Sequence, residues 1–107
     1  MNNLIKRARE SAESNILSLM AKNNIREIPV REIDGCESPA VTKDSNDEAM
    51  TLDFIEINLN GKLVFDASSC DENNTWTIDE MPTDALVAVA EFLAEHESVL
   101  SEIQENE

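Results

Sequence analysis

Residues 81–103 read MPTDALVAVAEFLAEHESVLSEI, and the rest of the chain needs this stretch to pack against. From Ala85 to Ala94 only Glu91 is polar, and Ala, Leu and Glu favour helix. Leu86, Val89, Leu93, Leu100 and Ile103 recur at helical steps, with His96 standing where the series wants an apolar residue. Ala85, Ala88, Phe92 and Val99 form a second stripe beside the first. Two adjoining stripes make a wide apolar face, which predicts a helix buried along its first three turns.

The two ends of this helix differ. Pro82-Thr83-Asp84 is a start signal: Thr83 is expected to cap the first turn, and Asp79, Glu80 and Asp84 suit the positive end of the dipole. At the far end Glu95, Glu97, Glu102, Glu105 and Glu107 add negative charge where the dipole is already negative. Glu91 and Glu95 are a like-charged pair one turn apart. The expectation is order as far as Ser98 and a frayed tail over 99–107, unless a partner surface covers Val99, Leu100 and Ile103.

Working back along the chain, Thr75–Asp79 reads as a strand with Trp76 and Ile78 on one face. Trp76, the sole tryptophan, is expected to anchor the core against the long helix; an interface contact is the alternative. Before it, 52–59 and 62–67 flank Asn60-Gly61, a dipeptide that favours a two-residue turn. That turn would pair Ile57 with Val64 and Ile55 with Asp66, leaving both faces mixed. Either a bulge near Phe54-Ile55 shifts the register, or both faces are partly covered; the second is the expectation.

Residues 34–49 (DGCESPAVTKDSNDEA) lack periodicity and are expected to form a long, mobile acidic loop. The DSNDE run invites a calcium reading, but counting from Asp44 puts Ala49 and Ile55 where the loop pattern wants Gly and Glu. Ile25–Ile33 reads as a strand that Pro29 confines to a sheet edge or bends into a bulge. Residues 3–22 read as a helix with Ile5, Ala8, Ala12, Ile16, Leu19 and Met20 on one stripe, stopped at Asn23-Asn24. The whole chain, 1–107, is therefore expected to be a single α+β domain. Its small four-stranded antiparallel sheet would carry an N-terminal and a C-terminal helix, in the order α-β-β-β-β-α.

Charge bounds the function. Eight basic residues against twenty-three acids give a net charge of -15. Residues 1–31 hold six bases and three acids, +3, whereas 32–107 hold two bases and twenty acids, -18. Such a body repels nucleic-acid phosphates and anionic lipid, and attracts a basic protein. With no leader segment and no apolar run near ~18 residues, the expected location is the cytoplasm.

Chemistry is thinly supplied. His96 is the only histidine, and a turn back stands Phe92, which cannot coordinate a metal. Cys36 and Cys70 lack metal-ligand or redox spacing and read as ordinary thiols. Neither a catalytic residue, a cofactor site nor a metal site is expected. The reading is a non-catalytic, acidic binding or regulatory module for a basic protein surface, of inhibitor or immunity type. The alternative is a self-associating structural protein, a homodimer through the second sheet face or the Val99-Leu100-Ile103 stripe, and a small enzyme is the remote one. The candidate interface residues are Trp76, Val99, Leu100 and Ile103.

Overall fold

A computed structural model describes residues 2–33 and 39–100. The order of elements is helix α1 (Asn2–Lys22), strands β1 (Glu27–Ile28), β2 (Ala40–Lys43), β3 (Ala49–Ile57), β4 (Leu63–Ser68) and β5 (Asn73–Thr77), then helix α2 (Thr83–Glu95). This is the α+β architecture expected, with one strand added. The antiparallel sheet runs β1-β3-β4-β5, and β2 shares with β1 the same edge of the long strand β3. Residues 34–38 and 101–107, including Cys36 and Ile103, lie outside the described residues.

α1 ends as its asparagines suggest. Asn24 adopts φ 55, the Ile25 amide donates to the Met20 carbonyl (2.9 Å), and the Asn24 amide donates to Ala21 (3.1 Å). These two bonds are those of a Schellman stop, and the buried pair Met20 and Ile25 completes it. Beyond it the chain pairs over only two residues. Pro29 has no N–H to give the ladder, so after Ile28 the chain turns through a short helical turn at Val30–Glu32. Ile28 and Val30 are nonetheless both buried.

Strand β2 lies inside the stretch read as a loop. Its pairing with β3 is bulged between Ala40 and Thr42, and Val41 is its only buried residue. One buried side chain in four gives no period to detect.

The β3–β4 hairpin corrects the expected register. Ile57 pairs with Leu63, Ile55 with Phe65 and, after a bulge at Asp53, Leu52 with Ala67. All six side chains lie on one face, which is the face packed into the core. The turn has three residues rather than two. Gly61 takes φ +79, its amide donates to the Asn58 carbonyl (3.0 Å), and the Asn58 amide donates to Lys62 (2.9 Å). Asn58 Oδ1 accepts from the amides of Asn60 (2.9 Å) and Lys62 (3.0 Å), which favours this longer form.

Both helices cover that one face. Arg9 joins their early turns, donating to Thr83 Oγ1 (3.0 Å) and to the Ile78 carbonyl (2.8 Å). Lys22 and Glu97 join their far ends at 2.6 Å, so the helices run side by side in the same direction. Because α1 begins well ahead of Arg9, its first turn overhangs α2, leaving Leu4 73% and Ile5 53% exposed. Ile5 thus leaves the expected stripe, while Ala12, Ile16 and Met20 keep it. Thr83 does not cap α2 as expected: Pro82 takes the cap position with extended backbone, and the Thr83 hydroxyl serves Arg9 instead.

The C-terminal end differs too. α2 breaks at His96, whose amide donates to Leu93 (3.2 Å), and residues 97–100 are helical again after the bend. The bend turns Leu100 inward to 0% exposure within the chain's own core. Burying a leucine is worth roughly 1.5–3 kcal/mol. Adverse charge at a helix end costs about 1 kcal/mol at most. Burial wins, so neither Val99, which is half-buried, nor Leu100 begins a frayed tail.

Leu93, on α2, carries no exposure and belongs to the common core. Leu93→Ala is expected to lower the free energy of unfolding by about 2–5 kcal/mol in chemical denaturation. Leu59→Ala, in the fully exposed hairpin turn, should change it by less than about 0.5 kcal/mol. A loss at Leu93 as small as that at Leu59 contradicts the packing described.

Candidate functional site

The sheet has a second face, and neither helix lies on it. Register places three rows of side chains there: Glu27, Glu56, Val64 and Thr77; Phe54, Asp66 and Thr75; Thr51, Ser68 and Asn73. They alternate with the core-facing rows Ile55, Phe65, Trp76 and Leu52, Ala67, Asn74. Asp53 belongs to neither set, because the bulge leaves it without a partner on β4. It lines a hollow of about 670 Å³ together with Arg31, Phe54, Asp66 and Thr75. The Thr75 hydroxyl donates to Asp66 Oδ1 at 2.6 Å, which fixes that carboxylate in the lining of the hollow.

Glu27 directly opposes Glu56 on neighbouring strands. Like charges so placed cost a few tenths of a kcal/mol to about 1 kcal/mol, and no cation is recorded in contact with either carboxylate among the described residues. The lysines that do pair with acids are elsewhere: Lys22 with Glu97, Lys43 with Asp47 (3.3 Å) and Lys62 with Asp79 (2.6 Å). The open face therefore keeps its negative charge, interrupted by the half-buried ring of Phe54 and by Arg31 at its rim.

At the side of this face lies the outer edge of β5. The Ile78 amide donates across to Leu63 (3.0 Å), and the Ser69 amide reaches the Glu72 carbonyl (2.8 Å). By alternation Asn74 and Trp76 also turn their backbone groups to β4, and Asn73, Thr75 and Thr77 turn theirs outward. Thr77 is satisfied locally: its amide donates to Glu80 Oε1 (2.8 Å), and its carbonyl accepts from the Glu80 amide (3.0 Å). Among the described residues, no partner is recorded for the amides and carbonyls of Asn73 and Thr75.

The residues flagged by sequence scatter. Trp76 stands on the core-facing side of β5, half-buried and packed against the core, as an anchor would. Leu100 is inside the core and Val99 is half-buried, so they do not form an exposed apolar stripe. The His96 ring stacks on Phe92 at 4.5 Å, and its Nδ1 lies 2.8 Å from the Phe92 carbonyl. A carbonyl only accepts, so Nδ1 carries the proton. Cys70 is exposed in the turn between β4 and β5. Among the described residues, no cluster of three or more His, Cys, Asp or Glu side chains could hold a metal ion.

The DSNDE run is ordered. Asp44 is buried, and its Oδ1 accepts from the amides of Asn46 (2.8 Å) and Glu48 (2.9 Å) while Oδ2 accepts from the Ser69 hydroxyl (2.5 Å). Beside it the Ser45 amide and hydroxyl donate to the Glu72 carboxylate. Of the carboxylates that suggested calcium, Asp44 ties its own turn to the one at Ser69, and Asp47 pairs with Lys43. The acidic face and the open edge are the features that sequence reading missed. The only signal for them was the mixed pattern of β3 and β4.

No family model, no curated protein and no solved structure matches this chain.

Hydrogen bonds from the Ser69 hydroxyl and the Glu48 amide hold the Asp44 carboxyl below its ordinary value of 3.8, against the opposing effect of burial. The unfolded chain then takes up the proton first as pH falls. The stabilisation is complete above about pH 5 and is lost as pH drops through the unfolded and then the lower folded value. Asp44→Asn is expected to flatten the fall in stability below about pH 5, followed by denaturant midpoints. An unchanged slope would show that this carboxylate is not held by the turn.

Proposed function

We propose that the protein is a non-catalytic acidic binding module that docks a basic protein surface on the open face of its sheet. The carrying observation is the pair of opposed carboxylates Glu27 and Glu56, beside a hollow lined by Asp53 and Asp66. Opposed like charges cost stability in the free protein, and a cationic partner turns that cost into attraction. The charge of -15 speeds encounter with a basic surface and repels phosphates. Phe54 offers a ring face for a guanidinium or ammonium group. An inhibitor or immunity-type role fits this chemistry, since such a surface competes with phosphates for a basic groove.

No helix of the described residues is long and apolar enough to cross a membrane. Action in the cytoplasm is part of the same proposal. Self-association is the competing reading. The apolar stripe that suggested it has lost Leu100 to the core, and the negative charge opposes contact between copies.

The test places an equal charge change on two faces. Asp53→Asn, Glu56→Gln and Asp66→Asn together neutralise the sheet face while preserving shape; Asp84→Asn, Glu91→Gln and Glu95→Gln do the same on α2. Immobilised wild-type protein is expected to retain a basic protein from host extract and to release it as salt rises from about 0.1 M to about 0.5 M. The sheet variant should retain less than about a tenth as much, and the α2 variant most of it. Equal retention by both variants, or retention indifferent to salt, refutes the proposal. Light scattering that reports a stable dimer would favour self-association instead.

A further inference from the structure

We infer that the outer edge of β5 adds a strand from the partner, an extended segment alternating basic and apolar residues. This rests on the reading of the acidic face above, and it specifies how the partner's backbone is held. Three observations meet at this edge.

The first is backbone supply. Asn73 and Thr75 present two amides and two carbonyls outward, enough for two rungs of an antiparallel or parallel ladder.

The second is the absence of protection within the strand. The opposite side of the sheet is blunted at β1 by Pro29, by its two-residue length and by the turn at Val30–Glu32, and at β2 by the bulge between Ala40 and Thr42 and by Lys43. β5 reads NNTWT, without charge, proline or bulge, and its first three residues are exposed. Edges left in this form accept strands.

The third is the chemistry on either side. Residues of an added strand opposite Asn73 and Thr75 would lie on the acidic face. There a long cationic side chain can reach across Thr75, one strand spacing of roughly 4.8 Å, toward Asp66 and the hollow. The intervening residue falls on the other face, beside the half-buried ring of Trp76. This is the contact that gives Trp76 a share in an interface while it anchors the core. A second copy of this chain fits less well. It would bring another -15, and its own β5 would supply asparagine and threonine where the acidic face calls for cations.

The probe is a capped synthetic peptide of alternating valine and arginine, compared with one N-methylated at alternate residues to remove its edge-facing amides. In amide NMR the parent peptide is expected to shift Asn73 and Thr75 most and to slow their hydrogen exchange. N-methylation should weaken binding by about tenfold or more. Asn73→Pro removes an outward amide without breaking a bond to β4, so it should weaken binding while leaving the thermal midpoint nearly unchanged.

Equal binding of both peptides, with shifts confined to the Asp53 and Asp66 region, would sink strand addition and leave the acidic-face reading standing. Protection at Asn73 and Thr75 that survives neutralisation of Asp53, Glu56 and Asp66 would do the reverse, keeping the edge and removing the charge. Protection of these amides in the free protein, together with a dimer in light scattering, would assign the edge to a second copy and overturn the inference. No binding of either peptide overturns both.

Discussion

Everything in this fold depends on the register of β3 against β4. Side chains alternate across a strand, so a slip of one residue exchanges the buried set for the exposed set along its whole length. With Ile57 opposite Leu63, the core receives Leu52, Ile55, Leu63, Phe65 and Ala67, and water receives Glu56 and Asp66. Two local devices hold that register: the three-residue turn with Gly61 at φ +79, and the bulge that sets Asp53 aside. The site is a by-product of the same arrangement. A sheet that sends most of its apolar residues to one side, Phe54 and Val64 excepted, collects its carboxylates on the other.

The helices then fix which side is which. They run parallel over one face, joined near their starts by Arg9 and near their ends by Lys22 and Glu97. The exposed ion pair contributes little, and the apolar contact of Ile16, Met20, Leu86, Val89 and Leu93 supplies most of the attraction. Arg9 matters for a different reason. Its two bonds tie α1 to the segment that leaves β5 and enters α2, which steadies the edge strand from behind.

Much of this was legible in the residues. The Leu86-Val89-Leu93 stripe of α2, the α1 stripe from Ala12 to Met20 and the left-handed asparagine at position 24 follow from local chemistry, and all are present. Of the second α2 stripe, Ala85 is buried, Phe92 half-buried and Ala88 exposed. What escaped were decisions made between distant parts of the chain. Asn60-Gly61 locates the turn, but the Asn58 side chain selects its length. β2 exists because β3 offers it an edge, with Val41 its only buried residue. Leu100 looked stranded beside unfavourable charges because sequence gives no sign that His96 bends the chain back toward the core. The acidic face was invisible for the same reason: its four carboxylates come from β1, β3 and β4, and only pairing makes them neighbours.

Glu80 has a further role. By occupying both outward groups of Thr77, it shortens the usable edge of β5 to Asn73 and Thr75. A rim that short offers little template for end-to-end growth, and every copy also carries strong self-repulsion. The protein can thus leave a sticky border uncovered without seeding fibres, because a single glutamate measures out how much of it is available.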